Sequence, residues 1–291
     1  MRRVSVFGAT GSVGCNTVDL LTRQGGAERF NVVALSGGEN VALLARQART
    51  LRADIAVTAF PKHLDALREA LNGTGILAAA GPEAIAEAAA RPTDWTMSAI
   101  VGAAGLEPGL VAMQHGGILA LANKESLVTA GPLMHRMAGK YRARILPVDS
   151  EHSAIYQAMN GEDARSVERI ILTASGGPFR DWSLARLGNA TPAQAAAHPN
   201  WSMGQRISVD SASMFNKAME LIETKEFFTI PEDRIEVLVH PQSIIHSLVG
   251  FVDGALLARV DGSERRLHIE QSYGVKASRL PSTPQYIALG H

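Results

Sequence analysis

A β-rich run, Val4-Ser5-Val6-Phe7, passes directly into Gly8-Ala9-Thr10-Gly11-Ser12-Val13-Gly14 and then into a stretch with helical character. A strand that enters a helix through glycines builds a crossover unit, and the glycines let a diphosphate approach backbone N–H groups at the helix start. The spacing is G-x-x-G-x-x-G, whereas the dinucleotide fingerprint is G-x-G-x-x-G. Two readings therefore stand on the motif alone, a nucleotide loop or an ordinary strand-to-helix turn.

The rhythm repeats. Short runs at Val32 to Leu35, Ile55 to Val57, Ile76 to Ala79, Thr96 to Val101 and Ile145 to Val148 alternate with helical segments such as Val41 to Leu51 and Pro61 to Leu71. This alternation predicts an α/β domain with a Rossmann-like, doubly wound parallel sheet. Where NAD enzymes commonly place a carboxylate for the ribose, at the end of the second strand, the chain has Ser36-Gly37-Gly38 before Glu39-Asn40, which favours NADP.

Near Asp149 the pattern changes, and a second, α+β domain with a mixed sheet is expected. Asp149 or Ser150 caps a helix running to about Met159, with Gly161 as its stop. Ile170 to Thr173 reads as a strand, Ser175 to Gln205 as a long loop of the kind that forms a flap, and Ala212 to Phe228 as a helix. Ile235 to Val239 reads as a strand and Ile244 to Val260 as a hairpin turning at Asp253-Gly254. The expected division is 1–149, 150–260 with the flap at about 175–205, and a tail at 261–291 that lacks periodicity and is interrupted by Pro281 and Pro284.

With 291 residues, 46% of them hydrophobic, the chain can build two cores. Lys plus Arg balances Asp plus Glu at 28 each, so no overall field favours nucleic acid or an anionic membrane surface. The sole cysteine, Cys15, forms no intrachain disulfide, and no apolar signal segment or membrane span is evident. A cytoplasmic protein acting on a small molecule is the expectation.

Asp149-Ser150-Glu151 follows the strand at Ile145 to Val148, and in an extended segment residues two apart project to one side. Glu220 lies one helical turn from Asn216, with Lys217 bordering that face. Three carboxylates without a companion cysteine suit Mg²⁺ or Mn²⁺ better than zinc; the alternative is a helix cap with solvated acids. Ser211, Ser213, Asn216 and Lys217 around a helix start suit a phosphate monoester, or describe an ordinary capped helix. Ser175-Gly176-Gly177-Pro178 either wraps an oxyanion or simply turns the chain. His198-Pro199-Asn200-Trp201-Ser202-Met203 fits a cover over a bound sugar, or a tryptophan anchoring a loop. His240 reads as structural, and His246 remains open.

Taken together, the glycine loop, Ala122-Asn123-Lys124-Glu125-Ser126, Pro147-Val148-Asp149-Ser150-Glu151-His152, Ser175-Gly176-Gly177-Pro178-Phe179, His198 to Gly204, Ser208-Val209-Asp210-Ser211 with Asn216-Lys217 and Glu220, and His240-Pro241-Gln242-Ser243 resemble the 1-deoxy-D-xylulose 5-phosphate reductoisomerase family. The resemblance runs in unbroken order to about residue 258. It implies an NADP-dependent oxidoreductase that uses a divalent metal (Mg²⁺, Mn²⁺ or Co²⁺) to rearrange and reduce 1-deoxy-D-xylulose 5-phosphate to 2-C-methyl-D-erythritol 4-phosphate in the non-mevalonate isoprenoid pathway. It implies Asp149, Glu151 and Glu220 as metal ligands, with Lys124 and Ser150 at the carbonyl and hydroxyl end of the substrate. Ser175, His198, Ser211, Asn216 and Lys217 would hold substrate, mostly at its phosphate, and Trp201 and Met203 would belong to the closing flap. For NADPH it implies Thr10, Gly11, Ser12 and Val13 at the diphosphate, Gly38 and Asn40 near the adenosine ribose, and Asn123, Glu125 and Gly204 elsewhere. A homodimer through the central domain's sheet is also implied.

Two departures stand out. Glu39 occupies a place where many members carry a basic residue near the cofactor's 2′-phosphate, which opposes NADPH preference. After about Arg259 the resemblance stops; the helical domain that follows in the family is not matched, and 261–291 reads as a truncation product or a shifted frame, with lower stability and weakened turnover expected. The alternatives are an inactive homologue that retains cofactor binding, and a semialdehyde-type NADP dehydrogenase. The latter needs a cysteine at the nicotinamide, and Cys15 sits beside the phosphate loop instead.

Overall fold

The strands of the first sheet are short, and the central ones are largely buried, as parallel strands covered by crossover helices must be, while burial falls off toward the two edges. The computed structural model describes residues 1–197, 205–260, 269 and 286–288. Strands β1 (Arg2–Phe7), β2 (Phe30–Gly37), β3 (Ile55–Thr58), β4 (Leu77–Ala80), β5 (Trp95–Ser98), β6 (Gly117–Leu121) and β7 (Ala143–Pro147) lie in the order β4-β3-β2-β1-β5-β6-β7, and every pairing is parallel. The chain builds outward from β1 to β4, then crosses to β5 and builds the other way. The order thus reverses between β1 and β5, and the crevice at their carboxyl ends is where open α/β sheets bind ligands.

Helices α1 (Ser12–Arg23), α2 (Val41–Leu51), α3 (Leu64–Ala70), α4 (Pro82–Ala89), α5 (Leu106–Ala112) and α6 (Lys124–Tyr141) are the connections. On α2 the buried residues Leu44, Ala45, Ala48 and Leu51 recur at helical spacing, so one stripe faces the core. Full burial of each leucine stabilises the unit by about 1.5–3 kcal/mol. The carboxamide of Asn40 accepts from the N–H of Leu43 to cap this helix. Helix α6 bends at Ala130 (φ −136°), two residues before Pro132, whose missing N–H removes a helical hydrogen bond. The sequence reading did not anticipate β6; it begins at Gly117 after Gly116, both with positive φ, a composition that otherwise marks a turn.

The described residues divide into two compact units, the first built on Met1–Asp149 and the second beginning at Ser150. The second holds a mixed sheet, order β12-β11-β10-β8-β9, from β8 (Val167–Ala174), β9 (Ile235–Val239), β10 (Ile245–Phe251), β11 (Leu256–Val260) and β12 (Tyr286–Ala288). Only β8 and β9 pair parallel. Helix α7 (Ser150–Ala158) lies against β10 and β11, and its Ile155 and Ala158 join Ile170, Leu172, Ile235, Val249 and Phe251 in a core of their own. The β10–β11 hairpin turns at Asp253-Gly254, with Gly254 at φ +88° and the Asp253 carboxylate accepting from the N–H of Ala255.

Three expectations need correction in this unit. The segment 175–197 is not one featureless loop, because it contains α8 (Leu184–Leu187) and α9 (Pro192–Ala196), the latter opened by a capping box between Thr191 and Gln194. The helix expected over Ala212 to Phe228 begins only at Phe215, as α11 (Phe215–Phe228), and a separate helix not expected there, α10 (Gln205–Ala212), precedes it, the two parted where Met214 adopts a left-handed conformation (φ +60°). In the tail, Tyr286–Ala288 pairs antiparallel with Leu257 to Arg259, a strand too short to show a period. Among the described residues no helix is long and apolar enough to cross a membrane.

Candidate active site

The glycine loop is held in one form by close backbone packing. Gly8 takes φ +90°, and a Cβ there would lie 2.5 Å from the carbonyl oxygen of Ala99 on the loop after β5. A Cβ on Gly14 would lie 2.1 Å from the oxygen of Gly8, so the first turn of α1 packs directly on the loop that feeds it. The cap position, Gly11, offers no side chain to the amides of Ser12, Val13 and Gly14. Those N–H groups have no helical partner, and together they form an anion-binding end. Gly11 and Ser12 are exposed, Thr10 and Val13 half-buried.

The same end of the sheet gathers the other residues expected near a cofactor. The N–H of Gly38 lies 3.4 Å from the hydroxyl of Thr10, and the carbonyl of Gly38 accepts from Thr58 at 3.0 Å. Asn123 is 2% exposed; its Oδ1 accepts from the N–H of Ser126, and its amide donates to the carbonyls of Ile100 and Gly102. This side chain is engaged in capping α6 and fixing the loop after β5, so what it leaves for a ligand is backbone. Glu125, in the first turn of α6, is half-buried.

A residue that sequence reasoning passed over also organises the loop. Gln47, 6% exposed on α2, donates to the carbonyl of Ala9 at 3.0 Å and lies 3.7 Å from the sulfur of Cys15. Its only sequence signal is a polar residue on the apolar stripe of an amphipathic helix.

The carboxylates come together by the helical one of two expected routes. Asp149 and Glu151 do not share an extended segment, because Ser150 already opens α7 and the turn into the helix carries both acids. Oxygens of Asp149, Glu151 and Glu220 all lie within 4.8 Å of one another. In the first unit, Lys124 at the start of α6 pairs with Asp149 at 3.0 Å. In the second, the ammonium of Lys217 donates to Glu220 and lies 3.3 Å from Glu151; Asn216 donates to the other oxygen of Glu220, and Ser150 donates to Glu151. Residues 216, 217 and 220 meet because they lie one turn apart on α11.

Glu220 is itself fixed from behind. Its backbone carbonyl accepts from the hydroxyl of Thr224 at 2.7 Å and lies 3.0 Å from Nε2 of His152, a fully buried ring stacked at an angle on Phe227. Nδ1 of His152 is 3.9 Å from the buried carboxylate of Glu223. Neither His152 nor Glu223 was singled out beforehand, since an apolar neighbourhood gives them no spacing signal. Farther along α11, the ammonium of Lys225 donates to Glu232 at 2.8 Å, which holds Lys225 above the ordinary lysine range and Glu232 below the ordinary carboxylate range.

The residues expected around a phosphate are partly assembled. The hydroxyl of Ser175 accepts from the N–H of Gly177, and a Cβ on Gly177 (φ +67°) would lie 2.6 Å from the carbonyl oxygen of Ser211. That contact sets the Ser175 loop against the end of α10. Ser211 is therefore in the last turn of α10 and not at the start of the helix that carries Asn216 and Lys217; the break at Met214 separates them. His240 is structural, its N–H donating to Ala174 and its Nε2 accepting from the N–H of Ile244. The carbonyl of His246 accepts from Thr173. His198, Trp201, Met203 and Gly204 lie outside the described residues.

Hard oxygen donors without sulfur, flanked by two ammonium groups, fit an oxygen-preferring divalent cation. The comparisons with known proteins agree with the geometry. The family model described as 1-deoxy-D-xylulose 5-phosphate reductoisomerase matches residues 4–131, and the model of that enzyme's C-terminal domain matches residues 145–228. The 1-deoxy-D-xylulose 5-phosphate reductoisomerase of Ruegeria pomeroyi is 64% identical over 266 residues, 91% of this chain and 67% of its own. The solved structure of the Zymomonas mobilis enzyme in complex with NADPH superposes with a TM-score of 0.88 at 47% identity, covering 94% of this chain and 70% of that one. A structure of the enzyme with NADPH, fosmidomycin and magnesium gives 0.88 at 36% identity, covering 100% and 76%. This chain belongs to the 1-deoxy-D-xylulose 5-phosphate reductoisomerase family.

Proposed function

We propose that this chain uses NADPH and a divalent cation, Mg²⁺, Mn²⁺ or Co²⁺, to rearrange and reduce 1-deoxy-D-xylulose 5-phosphate to 2-C-methyl-D-erythritol 4-phosphate, an early isoprenoid step. The observation that carries the reading is the convergence of Asp149, Glu151 and Glu220 within 4.8 Å. The relatives' names and the NADPH and magnesium in related structures support it. When bound, the cation supplies Lewis acidity for oxyanion character on the substrate, and NADPH supplies the hydride.

The chain's own residues divide the remaining work. Residues 1–149 hold the cofactor, with Thr10, Gly11, Ser12 and Val13 at the diphosphate, Gly38 and Asn40 at the ribose, and Asn123, Glu125 and Gly204 completing the set. Residues 150–260, with Asp149 at their threshold, hold cation and substrate. Asp149, Glu151 and Glu220 are the cation's ligands. Lys124, whose side chain is only 14% exposed, presents its ammonium to the substrate's oxygens with Ser150 as a further donor. Ser175, His198, Ser211, Asn216 and Lys217 orient the substrate by its phosphate, and the flap bearing Trp201 and Met203 excludes water. The reaction belongs in the cytoplasm, where reduced nicotinamide is supplied.

Metal-dependent oxidation of NADPH by 1-deoxy-D-xylulose 5-phosphate tests the reading. Glu220→Gln should lower that turnover by more than about a hundredfold while NADPH binding stays near the parent value. Turnover indifferent to added cation would sink the proposal; tight NADPH binding with no turnover under any of the three metals would point to a cofactor-binding homologue instead. The proposed homodimer through the second unit's sheet draws support from β9, an edge strand with Val237, Leu238 and Val239 each about half exposed. Light scattering should give a mass twice the chain's 30.9 kDa, and a monomer would refute it.

A further inference from the structure

Three loops meet at the carboxyl ends of β1, β2 and β3. Gly38 ties them together, its N–H near the hydroxyl of Thr10 and its carbonyl bonded to Thr58. The N–H of Phe60 lies 3.4 Å from that same Thr58 hydroxyl, and a Cβ on Gly38 would touch the Phe60 ring at 3.9 Å. In a doubly wound sheet the residues after the second strand face the adenosine ribose.

A carboxylate in that position accepts hydrogen bonds from free ribose hydroxyls and repels a 2′-phosphate. Glu39 is such a carboxylate, exposed and immediately beyond Gly38. Its oxygen lies 3.5 Å from the ammonium of Lys62, which comes from the turn after β3. Lys62 also lies 5.5 Å above the ring of Phe60, which places its ammonium beside the same loops. Asn40, the other polar residue there, is engaged in capping α2.

We propose that Lys62 supplies the positive charge for the 2′-phosphate of NADPH, and that Glu39 holds this ammonium at the ribose while limiting how strongly the phosphate is preferred. The inference rests on the NADPH reading above and adds its specificity determinant. A phosphate monoester carries roughly two negative charges near neutral pH. Facing Glu39 alone it would be repelled; facing the pair it meets a local charge near zero and an ammonium able to share its donors. A lysine offers a point charge without the two-pronged fit of an arginine, so discrimination against NADH should be modest.

Dissociation constants for NADPH and NADH, measured on the full chain without metal or substrate, test this. Lys62→Ala should weaken NADPH about tenfold and NADH less than about twofold, and Lys62→Arg should restore NADPH. Glu39→Gln should tighten NADPH severalfold and leave NADH unchanged or weaker. Equal effects of Lys62→Ala on both nucleotides, no effect on either, or weaker NADPH binding in Glu39→Gln would overturn the assignment. A parent chain that binds neither nucleotide would overturn the NADPH reading itself, whereas binding with an unaltered preference in the variants overturns only the role of Lys62.

Discussion

Lys217 is 6% exposed, and its ammonium is shared by Glu151 and Glu220. An ammonium beside those carboxylates repels a divalent cation held by them, so the two compete electrostatically. Lys217→Ala should therefore tighten Mn²⁺ binding severalfold, because a positive charge leaves the ligand set, while raising the KM for the sugar phosphate. Mn²⁺ titration followed by electron paramagnetic resonance gives the first quantity, and looser Mn²⁺ binding would contradict the assignment. At this scale the acidic residues were legible through the resemblance, since donor type and spacing alone left a helix cap with solvated acids as a second reading. Their route to one another was read in two ways, as a continued strand and as entry into a helix capped at Asp149 or Ser150, and the second is the one found. Gln47, His152 and Glu223 were illegible because burial turns a polar side chain into a partner for particular groups, and those partners are distant in sequence.

The break between α10 and α11 belongs to the element scale. A continuous helix over Ala212 to Phe228 satisfies periodicity, yet Met214 takes a left-handed conformation that L side chains adopt at a cost of about 1–2 kcal/mol. The hydroxyl of Ser213 donates to the carbonyls of Val209 and Asp210, closing the preceding helix just before the break. Met214→Gly should leave the urea midpoint unchanged or higher, whereas Met214→Val, branched at Cβ, should be less stable than the glycine variant by about 1–2 kcal/mol. Equal midpoints would mean that the conformation is not strained. The same competition between local and distant contacts explains β6. The glycines before β6 argue for a turn until β5 and β7 are present on either side of it.

Across the whole molecule, the first unit was the more legible because each parallel strand is a short apolar run bounded by turn residues, and consecutive strands mostly lie side by side. In the second unit β8 pairs with β9 and β10, which follow it in the chain only after α8 to α11 have passed, and β12 reaches β11 from within the tail. Pairings over that distance leave no mark on local periodicity, which is why the strands, the hairpin and the mixed character of that sheet could be anticipated but not its strand order. One feature of the first unit has a practical use. Cys15 is the chain's sole thiol, half-buried one turn into α1 beside Gln47. Alkylation can therefore place a label next to the glycine loop without any engineered substitution, and the rate at which a maleimide reacts becomes a built-in gauge of occupancy at the proposed cofactor site.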